Sequence, residues 1–246
     1  MGNLYRKQGR YGEAEKTLKR SLEVLENKLG EDHPQYAKTL DQLGSLYREL
    51  GRFEEAEKVL KQALAIRQRR KGPEHKSVGQ SLHNLANIYR QIGRYAEAED
   101  FYTRALAIRE KTLGAEHSGL AKTLDRLGDL YRRLKRFEAA EKALLRALNI
   151  RQRTKGENHK SVGQSKHNLA NLYRDTQRPA KAEKFYPQGI QIKEKALGPD
   201  HSSVAKAIAD YGRLRLDQGK NDETVPLFKR ALRVQEKALG PEHAAE

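Results

Sequence analysis

A Gly-x-x-His segment returns every 42 residues along this chain, at Gly30 and His33, Gly72 and His75, Gly114 and His117, Gly156 and His159, Gly198 and His201, and Gly240 and His243. Such regular self-similarity excludes a fold built on one central core and leaves repeat architectures, in which each unit packs on its neighbours. Glycine ends helices because it enters the left-handed backbone region without a steric cost. Each segment therefore marks the stop of one helix and, after a short turn, the start of the next.

In that register two helices, A then B, fill each period. Helix A carries Leu43, Gly44 and Tyr47; Leu85, Ala86 and Tyr89; Leu127, Gly128 and Tyr131; and Leu169, Ala170 and Tyr173. The next copy reads Tyr211, Gly212 and Arg215, with arginine at the tyrosine place. Helix B carries Ala56, Leu60 and Ala63; Ala98, Tyr102 and Ala105; Ala140, Leu144 and Ala147; Ala182, Tyr186 and Gly189; and Thr224, Phe228 and Ala231. Small residues stand where helices A and B touch, and large ones fill between them. The pattern resembles the tetratricopeptide repeat, with Leu82 in the tryptophan place, Ala86 in the glycine place and Tyr102 in the phenylalanine place of its framework. The usual period is about 34 residues, so the longer unit here predicts a lengthened helix B and turn. The ALAIRE, HNLANLYR and GRYAEAE segments resemble the repeats of kinesin light chains. What this resemblance implies is an all-α, right-handed superhelical solenoid of antiparallel helix pairs.

The expected organisation is a single array over 1–246: a partial repeat at 1–30, repeats at 31–72, 73–114, 115–156, 157–198 and 199–240, and the start of a truncated helix at 241–246. Both ends expose an unfinished apolar seam, which predicts a fragment of a longer array or ends covered by a partner, possibilities that include self-association end to end. A second period of 84 overlies the first: Lys76–Ser81 recurs as Lys160–Ser165, and Ala37–Asp41 as Ala121–Asp125. Binding chemistry should then alternate from repeat to repeat. Pro187 falls inside a helix B, where it predicts a kink, whereas Pro226 is expected near the first turn of its helix.

Candidate binding residues follow from the outward places of helix A, which lines the concave groove in tetratricopeptide folds. These are Arg48, His83, Asn84, Asn87, Arg90, Lys122, Arg126, Arg132, His167, Asn168, Asn171 and Arg174. A carboxamide donates and accepts at once, so asparagine can hold an extended backbone without reading its sequence. In kinesin light chains asparagines of a similar NNLA segment do this; Asn84 and Asn168 match that place, while His83 and His167 replace the neighbouring asparagine. The arginine ladder Arg48, Arg90, Arg132 and Arg174 suits acidic side chains of a protein or peptide ligand. The carboxylate clamp of chaperone-binding tetratricopeptide domains is not expected, because Asp125 and Asp129 stand where lysine and asparagine are needed.

Other chemistries find less support. The six periodic histidines are too far apart for one metal and read as turn residues that cap helix A or pack in the corner. No cofactor or metal is expected. The net charge of +16 raises nucleic acid as a partner. Yet ten of the eleven tyrosines, all but Tyr36, are assigned to repeat-core places, and the cations Arg67, Arg69, Arg70 and Lys71 are assigned to an outer surface. Asp41, Asp125, Asp129, Asp175, Asp210 and Asp217 meanwhile put negative charge on the groove places. No phosphate-binding glycine loop, zinc-protease helix or nucleophile elbow is present, so no enzyme is expected. The absence of cysteine, apolar spans and a signal peptide predicts a cytoplasmic chain outside any membrane. The reading is a non-catalytic scaffold that binds an extended or helical segment. A regulatory array of a multidomain signalling ATPase or protease, an end-to-end self-associating scaffold and RNA binding through the basic outer surface remain as alternatives.

Overall fold

The computed structural model describes residues 1–239; Gly240, His243 and the helix expected at 241–246 lie outside the described residues. Among the described residues there are twelve α-helices and no strand: α1 (Gly2–Lys7), α2 (Tyr11–Leu29), α3 (Pro34–Glu49), α4 (Phe53–Lys71), α5 (Lys76–Gln91), α6 (Tyr95–Leu113), α7 (Ser118–Arg133), α8 (Phe137–Lys155), α9 (Lys160–Asp175), α10 (Pro179–Leu197), α11 (Ser202–Asp217) and α12 (Asn221–Leu239). Odd-numbered helices are A and even-numbered ones B. From α3 onward helix A has 16 residues and helix B 19, so a long helix B takes up much of the added length. The chain forms two compact units, one ending at Gly119 and the other starting at Leu120.

The 42-residue mark has a physical cause in the turn from B to A. Gly72 takes φ 82° and ψ 158°, a region open to glycine alone, and its N–H donates to Gln68 O at 3.0 Å. His75 then caps α5: its Nδ1 accepts from the Ser77 N–H at 3.1 Å. His33, His117, His159 and His201 accept in the same way, from Gln35, Gly119, Ser161 and Ser203. These five periodic histidines are helix N-caps, satisfying donors that a helix start leaves orphaned.

Packing alternates between two solutions. Where α3 and α7 have glycine, helix B drives a leucine against it: a Cβ on Gly44 would lie 2.6 Å from Leu60 Cγ, and one on Gly128 2.6 Å from Leu144 Cγ. Where helix A has Ala86 or Ala170, helix B instead supplies Tyr102 or Tyr186, and these are buried. The tyrosine hydroxyls donate to Asn87 Oδ1 at 2.8 Å and Asn171 Oδ1 at 2.6 Å. Gly189 brings α10 against α9, since a Cβ there would sit 3.0 Å from Gly163 O. α10 is helical on both sides of Pro187, without interruption between Pro179 and Leu197. Pro226 differs from its expected place: α12 starts at Asn221, so it is the sixth helical residue and the bond to the Asp222 carbonyl is lost.

A repeated knot joins α3, α5 and α9 each to the helix B before it. Tyr47 Oη donates to Glu15 at 3.2 Å, Arg52 Nη1 donates to the other Glu15 oxygen at 2.7 Å, and the Arg52 guanidinium lies 4.3 Å over the Tyr47 ring. The Arg52 hydrogen bond is the main cause that holds the Glu15 carboxyl down at about 2. Tyr89, Glu57 and Arg94 repeat the arrangement, as do Tyr173, Glu141 and Arg178.

Candidate peptide-binding face

Within the first unit, α3 and α5 present Arg48, Asn84, Asn87 and Arg90 as partly exposed residues. Asn84 is held from two sides. Gln80 Nε2, one turn earlier, donates to its Oδ1 at 2.8 Å, and its Nδ2 lies 3.4 Å from Asp41 Oδ1 on α3. In the second unit Gln164 fixes Asn168 at the same 2.8 Å. Lys122 is exposed, while Arg126, Asn168, Asn171, Arg132 and Arg174 are partly exposed. Arg132, Asn168 and Asn171 meet at one concavity of about 30 Å³ that Asp129 and Leu144 also line.

The histidines are placed differently from the sequence expectation. His83 is 0% exposed and His167 2%, so both are interior residues and not part of a surface. The cause is the tyrosine substitution on helix B: the His83 ring packs edge-on against Tyr102 at 5.5 Å, and His167 lies 6.0 Å from Tyr186. Asn87 and Asn171 serve the same corner. Asn87 accepts from Tyr102 and donates to His83 O at 2.9 Å, leaving little of its carboxamide for a ligand.

Several charges assigned to outer or groove surfaces also turn inward. Arg67 pairs with Asp41 at 2.5 Å and donates to Ser81 Oγ at 2.5 Å; Arg151 does the same with Asp125 and Ser165, at 2.5 Å each. Burial raises the Asp41 and Asp125 carboxyls above their ordinary value in spite of these guanidinium partners. At the corresponding place of α10, Lys193 is 2% exposed, with Nζ 3.1 Å from His167 Nδ1. His167 Nε2 is 2.8 Å from Asp210 Oδ2, and Asp210 also pairs with Arg213 at 2.8 Å. Burial lowers both the His167 and the Lys193 values, Lys193 to about 8. Asp210 is pushed up by burial and pulled below its ordinary value by His167 and the nearby arginines. The sequence carried a signal for this layer, a cation every 42 residues at Arg67, Arg109, Arg151 and Lys193. Tyr36 likewise lies in the core, packed with Ala37, Leu40, Ala63 and Ile66, whereas Tyr11 is 37% exposed.

The arginine ladder is tied together from repeat to repeat within each unit. Arg6 pairs with Glu49, Arg48 Nη1 lies 3.5 Å from Gln91 Oε1, and Arg132 pairs with Asp175 and, at 3.2 Å, with Asp129. Arg174 donates to Asp175 at 3.0 Å but keeps Nη1 buried without a hydrogen-bond partner. It lines a cavity of about 410 Å³ with Asp175, Gln177, Pro179, Leu214, Asp217 and Gln218. Among the described residues no group of three His, Asp or Glu side chains is arranged to hold a metal. No helix there is long and apolar enough to cross a membrane.

Tetratricopeptide-repeat models match residues 1–69, 77–153, 119–195 and 161–237, and a second such model matches 42–111. The chain belongs to the tetratricopeptide repeat family. Similar solved structures include BtubC (BKLC) from P. vanneervenii, at 22% identity and a TM-score of 0.74 over 94% of this chain and 91% of that one. A kinesin light chain-type protein of Podosopora anserina with nearly identical TPR-like repeats is 27% identical, with a TM-score of 0.69 over 82% of this chain and 96% of that one. A Rap protein complexed with competence and sporulation factor has a TM-score of 0.66 at 16% identity over 97% of this tetratricopeptide chain and 74% of its own. Among curated proteins no relative matches the chain.

Proposed function

We propose that this protein is a non-catalytic interaction scaffold whose helix-A faces hold an extended or helical segment of a partner protein. The tetratricopeptide fold is in general a scaffold for protein interaction, and these repeats are typically non-catalytic. The observation that carries the finer reading is the pair of carboxamides Asn84 and Asn168. Each is pinned by a glutamine one turn earlier at 2.8 Å, which fixes its rotamer before any ligand arrives. A carboxamide already ordered loses little rotamer entropy on binding. Arg174 lines the wall of the cavity of about 410 Å³, where its guanidinium can meet an acidic side chain of the ligand. Capture from the source cytosol by wild type and by an Asn84→Ala, Asn168→Ala variant tests this. Partners retained at moderate salt by wild type and lost by the variant support it, and partners that ignore the substitution and leave with salt overturn it.

A further inference from the structure

A second cavity, of about 230 Å³, opens in the first unit where the start of α3, the end of α4 and the start of α5 meet. Pro34 and Ile66 give it an apolar part; Lys38, Arg67, Arg70 and Lys71 bring cations to it, and His75 and Ser77 complete the lining. No carboxylate lines it among the described residues. Asp41 already neutralises Arg67, at 2.5 Å. The other three cations have no such partner on the cavity wall. Arg70 Nε donates to a neutral acceptor, the Asp32 carbonyl, at 3.2 Å, and Lys38 and Lys71 are exposed.

The repeat does not require this charge. One period on, Gln80, Thr112 and Leu113 occupy the places of Lys38, Arg70 and Lys71, and α5 and α6 have the same lengths as α3 and α4. Two periods on, most of the set returns as Lys122, Ile150, Arg151, Lys155, His159 and Ser161, with Thr154 in place of Arg70. The helix-packing residues therefore tolerate the loss of these cations, yet the alternate repeat keeps two of the three, as Lys122 and Lys155. Three cations of like sign converging on one concavity repel one another until an anion enters.

We propose that this cavity is a binding site for a dianionic phosphate monoester, with the phosphoryl group among Lys38, Arg70 and Lys71 and its apolar substituent against Pro34 and Ile66. A dianion balances this charge better than a monocarboxylate, and guanidinium and ammonium donors give it charge-assisted hydrogen bonds. The site does not rest on the peptide reading, and either can fail alone. Phenyl phosphate titrated into the full chain at low salt, followed by amide NMR, is the test. The expected result is saturable shifts at Lys38, Lys71, His75 and Ser77, with benzoate binding about tenfold more weakly. A Lys38→Gln, Arg70→Thr, Lys71→Leu variant borrows the residues of the neighbouring repeat, so its helical circular dichroism should match wild type while affinity falls at least about tenfold. Equal affinity in the folded variant, equal binding of benzoate, or unsaturable shifts spread over all basic helix ends would each overturn the proposal.

Discussion

Tyr173 Oη donates to Glu141 at 2.9 Å, and one repeat later Arg215 occupies the tyrosine place and forms an ion pair with Glu183. The glutamate is the constant member of the knot; what changes is the group that reaches it. Tyr173→Phe keeps the ring under Arg178 but leaves Glu141 without one donor, at an expected cost of about 1 kcal/mol in urea unfolding. Tyr173→Arg, which imitates the next repeat, should recover part of that loss, and a cost equal to or above that of phenylalanine counts against an interchangeable donor.

The alternation of glycine and alanine on helix A predicts a coupled exchange. Gly128→Ala places a methyl 2.6 Å from Leu144, so it should destabilise by about 1–3 kcal/mol. Adding Leu144→Tyr and Asp129→Asn rebuilds the corner seen at Ala170, Tyr186 and Asn171, and should return most of the lost stability. A double-mutant cycle between Gly128→Ala and Leu144→Tyr, both in the Asp129→Asn background, with no coupling would show that helix spacing, not side-chain choice, sets the contact.

Two A-to-B turns use residues other than glycine in the left-handed region, Lys135 at φ 58° and Gln177 at φ 52°, where the other turns use Gly9 at φ 75°, Gly51 at φ 73°, Gly93 at φ 81° and Gly219 at φ 72°. Gln177→Gly removes that backbone strain and should stabilise by roughly 0.5–1 kcal/mol, offset in part by the entropy glycine adds to the unfolded chain. The melting temperature of the variant checks it, and a decrease would mean that the Gln177 side chain supplies more than the turn costs.

The helices were legible because their determinants are local and repeated: a glycine that stops helix B, a histidine that caps helix A, and small residues at the crossings. The candidate face was only partly legible. Periodicity tells which residues share a helix face, but it does not say how far a neighbouring helix overlaps that face. His83 and Asn87 share helix A with Asn84, yet Tyr102 on helix B draws His83 into the interior and takes the Asn87 carboxamide as its acceptor, and a single-helix pattern contains no trace of it. Asp41 shares a groove place by helix periodicity alone; its pairing with Arg67 depends on a side chain 26 residues away.

This division of the asparagines gives a stability test. Asn171→Ala leaves the buried Tyr186 hydroxyl without its acceptor, an expected loss of about 1–3 kcal/mol. Asn168→Ala removes a partly exposed carboxamide from Gln164 and should cost no more than about 1 kcal/mol while weakening a bound segment. Chemical denaturation of the two single variants separates them, and equal losses would show that Asn168 is as structural as Asn171.

The buried cluster around Lys193 predicts how stability follows pH. Its ammonium faces His167 from α9 and the Ser203 carbonyl from α11, with Asp210 and Lys206 acting on it from the same helix α11. Burial lowers its pKa to about 8 from an ordinary 10.5, so between these values the unfolded chain holds a proton that the folded chain has released. Stability contributed by this group therefore rises with pH from about 8 upward. Its unfavourable contribution is fully present below that pH. Tyr173 and Tyr186, whose values burial raises, act in the opposite sense once unfolded tyrosines ionise near pH 10, so the window to examine is 8 to 10. Lys193→Met should flatten the rise across that window. The His167 value, lowered by burial, adds a separate loss of stability as pH falls below 6.5, since there the unfolded histidine takes up a proton first. Thermal unfolding from pH 5 to 10 reads both windows, and a wild-type curve no steeper than that of Lys193→Met above pH 8 would place the charge of Lys193 in contact with water rather than in the core.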